Sequence, residues 1–216
     1  ASAPNSETVF RRSPRSEISM YSLPDWAFYP IAALAAAGMV AGALSYGDNS
    51  VRSREEILTD GILFEGDSLN AITTGNGLTA QILLEGDETF ARIDAVRGPF
   101  EGIQSAGAFF TLSPAELDAI QGRRVRLRFT VRSAAEYGAP GVRLNFFVAG
   151  LGQSDGEHVE TGERFETFAL EAVSPECQWD IGYIGLWPDW GFERNTIDLE
   201  RVELTALERL PNCPDT

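Results

Sequence analysis

The pattern of apolar and polar positions changes period once along the chain, near residue 50. Before that point stands one unbroken apolar run, Ala27–Tyr46 (AFYPIAALAAAGMVAGALSY), without a charged residue. Its length suits a helix that crosses the hydrocarbon core of a bilayer. Trp26, Phe28 and Tyr29 sit at one end and Tyr46 at the other, where amphipathic rings settle at headgroup depth. Asp25 and Asp48 close the segment on either side. The run predicts one transmembrane α-helix over 25–47, with Pro30 tolerated in the first turns. Beyond it the period becomes two. Apolar alternation or short apolar runs occur at 61–65, 69–73, 80–84, 89–96, 107–112, 124–133, 142–149, 165–172, 181–187 and 196–207.

The clearest strand is Arg124-Val-Arg-Leu-Arg-Phe-Thr-Val-Arg132, in which arginines alternate with apolar residues as on a half-buried sheet. Ile197-Asp-Leu-Glu-Arg-Val-Glu-Leu204 is another, with a shift of phase near Arg201. Gly75-Asn76-Gly77 between two apolar runs predicts a hairpin turn. One short helix announces itself: Ser113 as cap, Pro114 in the first turn and Glu116 as the return partner of a capping box. About ten short strands separated by turns predict a two-sheet sandwich. The expected organisation is a polar tail over 1–24, disordered by itself, the helix over 25–47, a linker over 48–60, a β-sandwich over 61–208 and a C-terminal tail over 209–216.

Charge narrows the partners. The chain carries 32 acidic and 17 basic residues, and every basic residue is an arginine. After residue 50 there are 28 acids and 14 arginines, a balance of -14. Such a surface repels phosphate backbones, so nucleic acid is not an expected partner. Arg11, Arg12 and Arg15 precede the apolar run, whereas Arg52 and Arg54 after it are offset by Asp48, Glu55 and Glu56. The positive-inside rule then places the N-terminus in the cytoplasm and the sandwich in the periplasm of a bacterial inner membrane. Ala41-Gly42-Ala43 also fits the cleavage site of a secretory signal, but the expectation is a retained anchor. Neither Cys177 nor Cys213 belongs to a CxxC pair, which argues against zinc. In an oxidising compartment a Cys177–Cys213 disulfide would tie the tail to the sheet; two free thiols are the alternative.

Phe109-Phe-Thr-Leu-Ser113, the short helix after it, Gly122–Val131, Phe165–Leu170 and Thr196–Leu204 together resemble the central and closing strands of carbohydrate-binding modules and galactose-binding-like domains. The likeness runs from about Ile62 to Leu207 and lies in the order of strands, not in a catalytic signature. It implies a mainly β, two-sheet jelly-roll sandwich, here preceded by one transmembrane helix. It also implies sugar as a ligand and a structural calcium between the first and last strands. Glu65, Asp67 and Glu200 match the acidic positions of that calcium site loosely.

Two sets of residues carry candidate chemistry. Gly38 and Gly42 form a GxxxG whose small-residue stripe continues through Ala37, Ala41 and Ser45, a surface that lets a second helix approach closely; the alternative is an ordinary lipid-facing anchor. Trp179, Tyr183, Trp187, Trp190 and Phe192 concentrate aromatic area near the C-terminus. Indole faces stack on sugar rings, with acidic neighbours bonding hydroxyls, and tryptophan equally dominates protein interfaces. Spacing by fours also suits a partial core role for Trp179, Tyr183 and Trp187. His158 is the single histidine, and no nucleophile elbow, phosphate loop or metal-ligand cluster accompanies it. No catalytic function and no cofactor beyond that calcium is expected. The leading expectation is an accessory subunit of a larger membrane complex, respiratory or photosynthetic, packed against integral membrane subunits within the lipid bilayer. The alternative is a membrane-tethered carbohydrate-binding module, with Trp187 and Trp190 as platforms. A tethered glycosidase ranks third.

Overall fold

The structure, a computed structural model, describes residues 25–46, 52–98, 107–148, 152–153, 156–173, 177–178, 180–191 and 193–213. They fall into two compact units, divided after residue 50. The first holds helix α1 (Asp25–Tyr46), 22 residues long with Pro30 inside it. Phe28, Tyr29, Ile31, Leu34, Met39 and Val40 are all more than half exposed along it. Side chains are described for its residues 28–40. Among the described residues no helix is long and apolar enough to cross a membrane. Gly38 has open space where a Cβ would stand. The side chains of Ala41, Gly42 and Ser45, like the tail at 1–24, lie outside the described residues.

The second unit opens with α2 (Arg54–Asp60), in a stretch expected to be linker. It is capped as α3 (Pro114–Ile120) is: Ser53 Oγ accepts from the Glu56 N–H, and the Glu56 carboxylate accepts from the Ser53 N–H at 2.7 Å. Those Ser53 hydrogen bonds, to the backbone N–H first, hold the Glu56 carboxyl below its usual pKa. Both helices bury an apolar side, through Ile57 on α2 and Leu117, Ala119 and Ile120 on α3, and Arg54 pairs with Asp118 at 3.5 Å.

Among the described residues twelve strands make two antiparallel sheets. One contains β1 (Ile62–Glu65), β3 (Leu78–Glu85), β4 (Glu88–Ala95), β6 (Arg123–Ser133), β10 (Glu166–Val173) and β12 (Thr196–Arg209), in the order β10-β6-β12-β4-β3 with β1 also on β12. The other contains β2 (Thr73–Thr74), β5 (Ala108–Thr111), β7 (Gly141–Val148), β8 (Gly152–Gln153), β9 (Glu157–Glu160) and β11 (Gly182–Pro188), in the order β2-β5-β11-β7-β8 with β9 also on β7. Period-two alternation sends Leu127, Phe129, Val131, Leu199, Val202 and Leu204 inward from the first sheet. Phe110, Leu144, Phe146, Ile184 and Leu186 face them from the second, and stacked Phe64 and Phe110 rings, 4.3 Å apart, join the layers. The fold is mainly β, built from two antiparallel sheets as the pattern required.

Several local expectations are corrected. The Asn76–Gly77 turn joins β2 in one sheet to β3 in the other, so it is a crossover and not a hairpin. The two-residue hairpin is at Gly86-Asp87, where Glu85 faces Glu88 and Gly86 takes φ 64, a value glycine adopts without steric cost. Residues expected as a strand at 69–73 begin inside a 3-10 turn, Gly66–Ala71, because Leu69 is buried there. The expected phase shift near Arg201 is a bulge: the register of β12 on β6 skips between Leu199 and Arg201. Cys177 and Cys213 form a disulfide with Cα atoms 5.2 Å apart, which ties the segment after β10 to the turn after β12.

The outer face of the β10-β6-β12 sheet is a lattice of ion pairs. Asp198, fully buried, accepts from Arg92 Nε and Nη2 at 2.8 and 3.0 Å and from Arg132 Nε at 3.0 Å. Arg132 also reaches Glu85 at 2.6 Å and lies over the rings of Phe90 and Phe165. Burial pulls the Arg132 pKa down, but the hydrogen bonds and charges of Glu85 and Asp198 outweigh it and the net shift is upward. Hydrogen bonding to Asp198 raises that of Arg92. Arg126–Glu171 and Arg201–Glu65 continue the lattice at 2.6 Å each.

Candidate functional site

The site grows from the end of β11. Trp187, its penultimate residue, is 3% exposed and donates its indole N–H to the Arg97 carbonyl at 3.3 Å. Three residues on, the strand has ended at Pro188, and Trp190 stands 44% exposed. Asp189 between them is held twice. Its N–H donates to the Gly141 carbonyl at 2.9 Å, and its carboxylate meets His158 Nε2 at 2.8 and 3.0 Å. Gly141 is required beneath this pair: a Cβ there would lie 2.7 Å from Asp189 Oδ2 and 2.9 Å from His158 Nε2. Gly191 and Arg194 then exchange two backbone hydrogen bonds, 3.0 and 3.1 Å, which folds the loop into a small hairpin presenting Glu193 and Arg194.

This hairpin leans on a turn brought from 56 residues earlier. Arg194 Nε donates to the Gly138 carbonyl at 3.3 Å, and the N–H groups of Asn195 and Thr196 both donate to the Tyr137 carbonyl at 2.8 and 2.9 Å. Two clefts share this hairpin as a wall. One, about 570 Å³, is lined by Pro140, Asp189, Trp190, Gly191, Glu193 and Arg194. The other, about 610 Å³, includes Tyr137, Ser133, Thr161, Glu163 and Arg132, and shares Glu193 and Arg194 with the first. An apolar ring beside carboxylates and a guanidinium offers a flat stacking surface with acceptors and donors around it.

The residues singled out in the sequence are distributed unevenly over this geometry. Trp190 lines the first cleft, whereas Trp187 is walled in and cannot stack on a ligand from its present position. Tyr183 is half-buried on β11, edge-on to Phe109 with ring centres 5.0 Å apart. Trp179 and Phe192 lie outside the described residues. Glu65 is engaged by Arg201, Asp67 lies in the 3-10 turn and Glu200 in the β12 bulge. Among the described residues no three His, Cys, Asp or Glu side chains gather as a metal ion would need, so the loosely matched acids are not brought together. Tyr137, Pro140, Asp189, Glu193 and Arg194 were not anticipated as site residues. Asp189, Glu193 and Arg194 follow Trp187 closely in sequence, but nothing local in Glu136-Tyr-Gly-Ala-Pro140 announces its pairing with Thr196.

No family model matches the chain, and no curated protein matches it. Solved structures do resemble it. The CBM22-1 xylan-binding domain of Xyn10C from Paenibacillus barcinonensis aligns at 12% identity and TM-score 0.46, over 68% of this chain and 94% of that one. The CBM22-1–CBM22-2 tandem of the same Xyn10C aligns at 12% and 0.45, over 68% of this chain and 44% of the tandem. A CBM4 structure aligns at 13% and 0.40, over 70% and 98%. These neighbours are carbohydrate-binding modules. At such identities and scores the likeness is one of outline.

Proposed function

We propose that the rim groove binds carbohydrate, with Trp190 as the stacking platform and Asp189, Glu193 and Arg194 as partners for sugar hydroxyls, in a non-catalytic module. One observation carries this reading: an indole 44% exposed at the mouth of a cleft lined by two acids and an arginine. An exposed tryptophan with polar groups converging on it is the arrangement that lets a pyranose ring stack while its edge is hydrogen-bonded. The test is a glycan array followed by calorimetry on the glycans retained. Trp190→Ala is expected to weaken binding about tenfold or more while unfolding as the wild type does. Equal binding by both proteins would remove the groove from consideration.

A second reading concerns α1. Its apolar side chains are exposed along the described stretch, which supports a membrane tether for the module. The disulfide suits the oxidising side of such a membrane. The same helix, with room beside Gly38, also suits packing against integral membrane subunits of a larger complex. Mild-detergent extraction of native membranes separates these outcomes. Co-migration with a stoichiometric set of subunits supports the complex, migration as a lone particle supports a tether, and recovery without detergent sinks both.

A further inference from the structure

Tyr137 is the one described non-glycine residue with positive φ, 57. For a bulky side chain this left-handed conformation is disfavoured, because Cβ crowds the following carbonyl. The surrounding turn enforces it. The Tyr137 carbonyl accepts two N–H groups from Asn195 and Thr196, and the Ser133 and Thr161 hydroxyls both bond the Ala139 carbonyl, at 2.8 and 2.9 Å. The turn closes so tightly that a Cβ at Gly138 would lie 2.3 Å from the Ala134 carbonyl oxygen. Yet the strain places no ring in the core: Tyr137 is 64% exposed. A position that favours glycine sterically holds an aromatic ring that is mostly exposed. Strain of this kind clusters where function needs it. The ring lines the second cleft, and Glu193 and Arg194 form the wall common to both clefts.

We propose that Tyr137 is a second stacking platform, so that the groove takes an extended glycan chain running from Trp190 past Glu193 and Arg194 to Tyr137. This rests on the carbohydrate reading above and specifies its ligand class as a linear oligosaccharide engaged along its length. Glu193 lines both clefts, with Asp189 in the first and Glu85 and Glu163 in the second, against Arg194 in both and Arg132 in the second; the carboxylates outnumber the guanidinium groups, so the chain is neutral rather than a polyuronate.

Calorimetry with β-1,4-linked glucose, xylose and mannose oligosaccharides of two to six units tests it. For whichever series binds, wild-type affinity is expected to rise about tenfold from trimer to hexamer. Tyr137→Gly removes that rise, Tyr137→Phe keeps it, and Tyr137→Gly unfolds at a higher temperature than the wild type because the backbone strain is relieved. A length dependence that survives in Tyr137→Gly overturns the second platform and leaves the carbohydrate reading standing. Binding that shows no length dependence in the wild type does the same. Failure of the wild type to hold any of these glycans, or any on the array, overturns both.

Discussion

Two polar regions of the sandwich use the same residue types to opposite ends. On the outer face of the β10-β6-β12 sheet, arginines and carboxylates stand opposite one another in register, and cross-strand pairing closes them: Arg126 on Glu171, Arg128 on Glu203, Arg132 and Arg92 on Asp198. At the rim, Glu193 and Arg194 stand exposed on a hairpin beside two exposed rings. Abundance of charge therefore says little about where a ligand goes. What differs is geometry: strands fix opposite charges at the spacing at which they pair, whereas a loop end presents its groups outward around a concavity. The closed lattice is a structural feature, and the open rim is where the proposed recognition falls.

The largest expected effect breaks the closed side. Asp198→Ala leaves Arg92 and Arg132 facing each other without the buried carboxylate between them, and should cost about 3–4 kcal/mol, less than for a fully buried pair because both guanidinium groups are partly exposed. A loss under about 1 kcal/mol in chemical denaturation would show the lattice to be no more than surface pairing. Next comes the crosslink. Replacing both Cys177 and Cys213 by serine should cost about 4 kcal/mol from the loop of 36 residues they close, read as a fall in the denaturation midpoint with reductant-insensitive unfolding. If the double variant unfolds as the oxidised wild type does, the tie contributes nothing.

The contrast between the regions also marks what the sequence could disclose. Strict alternation at Arg124–Arg132 made β6 and its outward arginines legible, and the Ser-x-x-Glu capping box made α3 legible. The same box at Ser53–Glu56 precedes α2, but a helix of about two turns with one buried apolar residue, Ile57, has no period to notice. β8 and β9 were invisible because Gly-Gln and Glu-His-Val-Glu carry no apolar alternation; they exist through pairing with β7. The site shows the same division. Trp187 and Trp190 are equally prominent as letters, and only the end of β11 between them decides that one is walled in and the other exposed. Tyr137 reaches the groove through hydrogen bonds to residues almost 60 positions later, a long-range pairing that local pattern does not encode.

On the open side, stability and recognition are expected to trade. Tyr137→Gly should raise stability by about 0.5–1 kcal/mol through relief of the left-handed strain, an effect opposite in sign to any lesion of the lattice. A loss on that substitution would mean that the exposed ring packs after all, and the contrast between the two regions would narrow.

The smallest effect is a pH dependence confined to the lattice. Hydrogen bonding from Arg126, with the charges of Arg126 and Arg124 behind it, holds the Glu171 carboxyl below its ordinary value of 4.5. A carboxyl whose folded pKa is depressed binds fewer protons folded than unfolded, so its contribution is complete above the unfolded value and is lost as pH falls through the folded one. Denaturation midpoints followed from neutral pH down into that window should therefore drop more in the wild type than in Glu171→Gln, which has no proton to gain. Because Glu171 is solvent-exposed and screened, the difference should also shrink with added salt. Identical acid profiles for the two proteins would show that the Arg126–Glu171 contact exerts no net pull, and that the lattice is held at its buried Asp198 end alone.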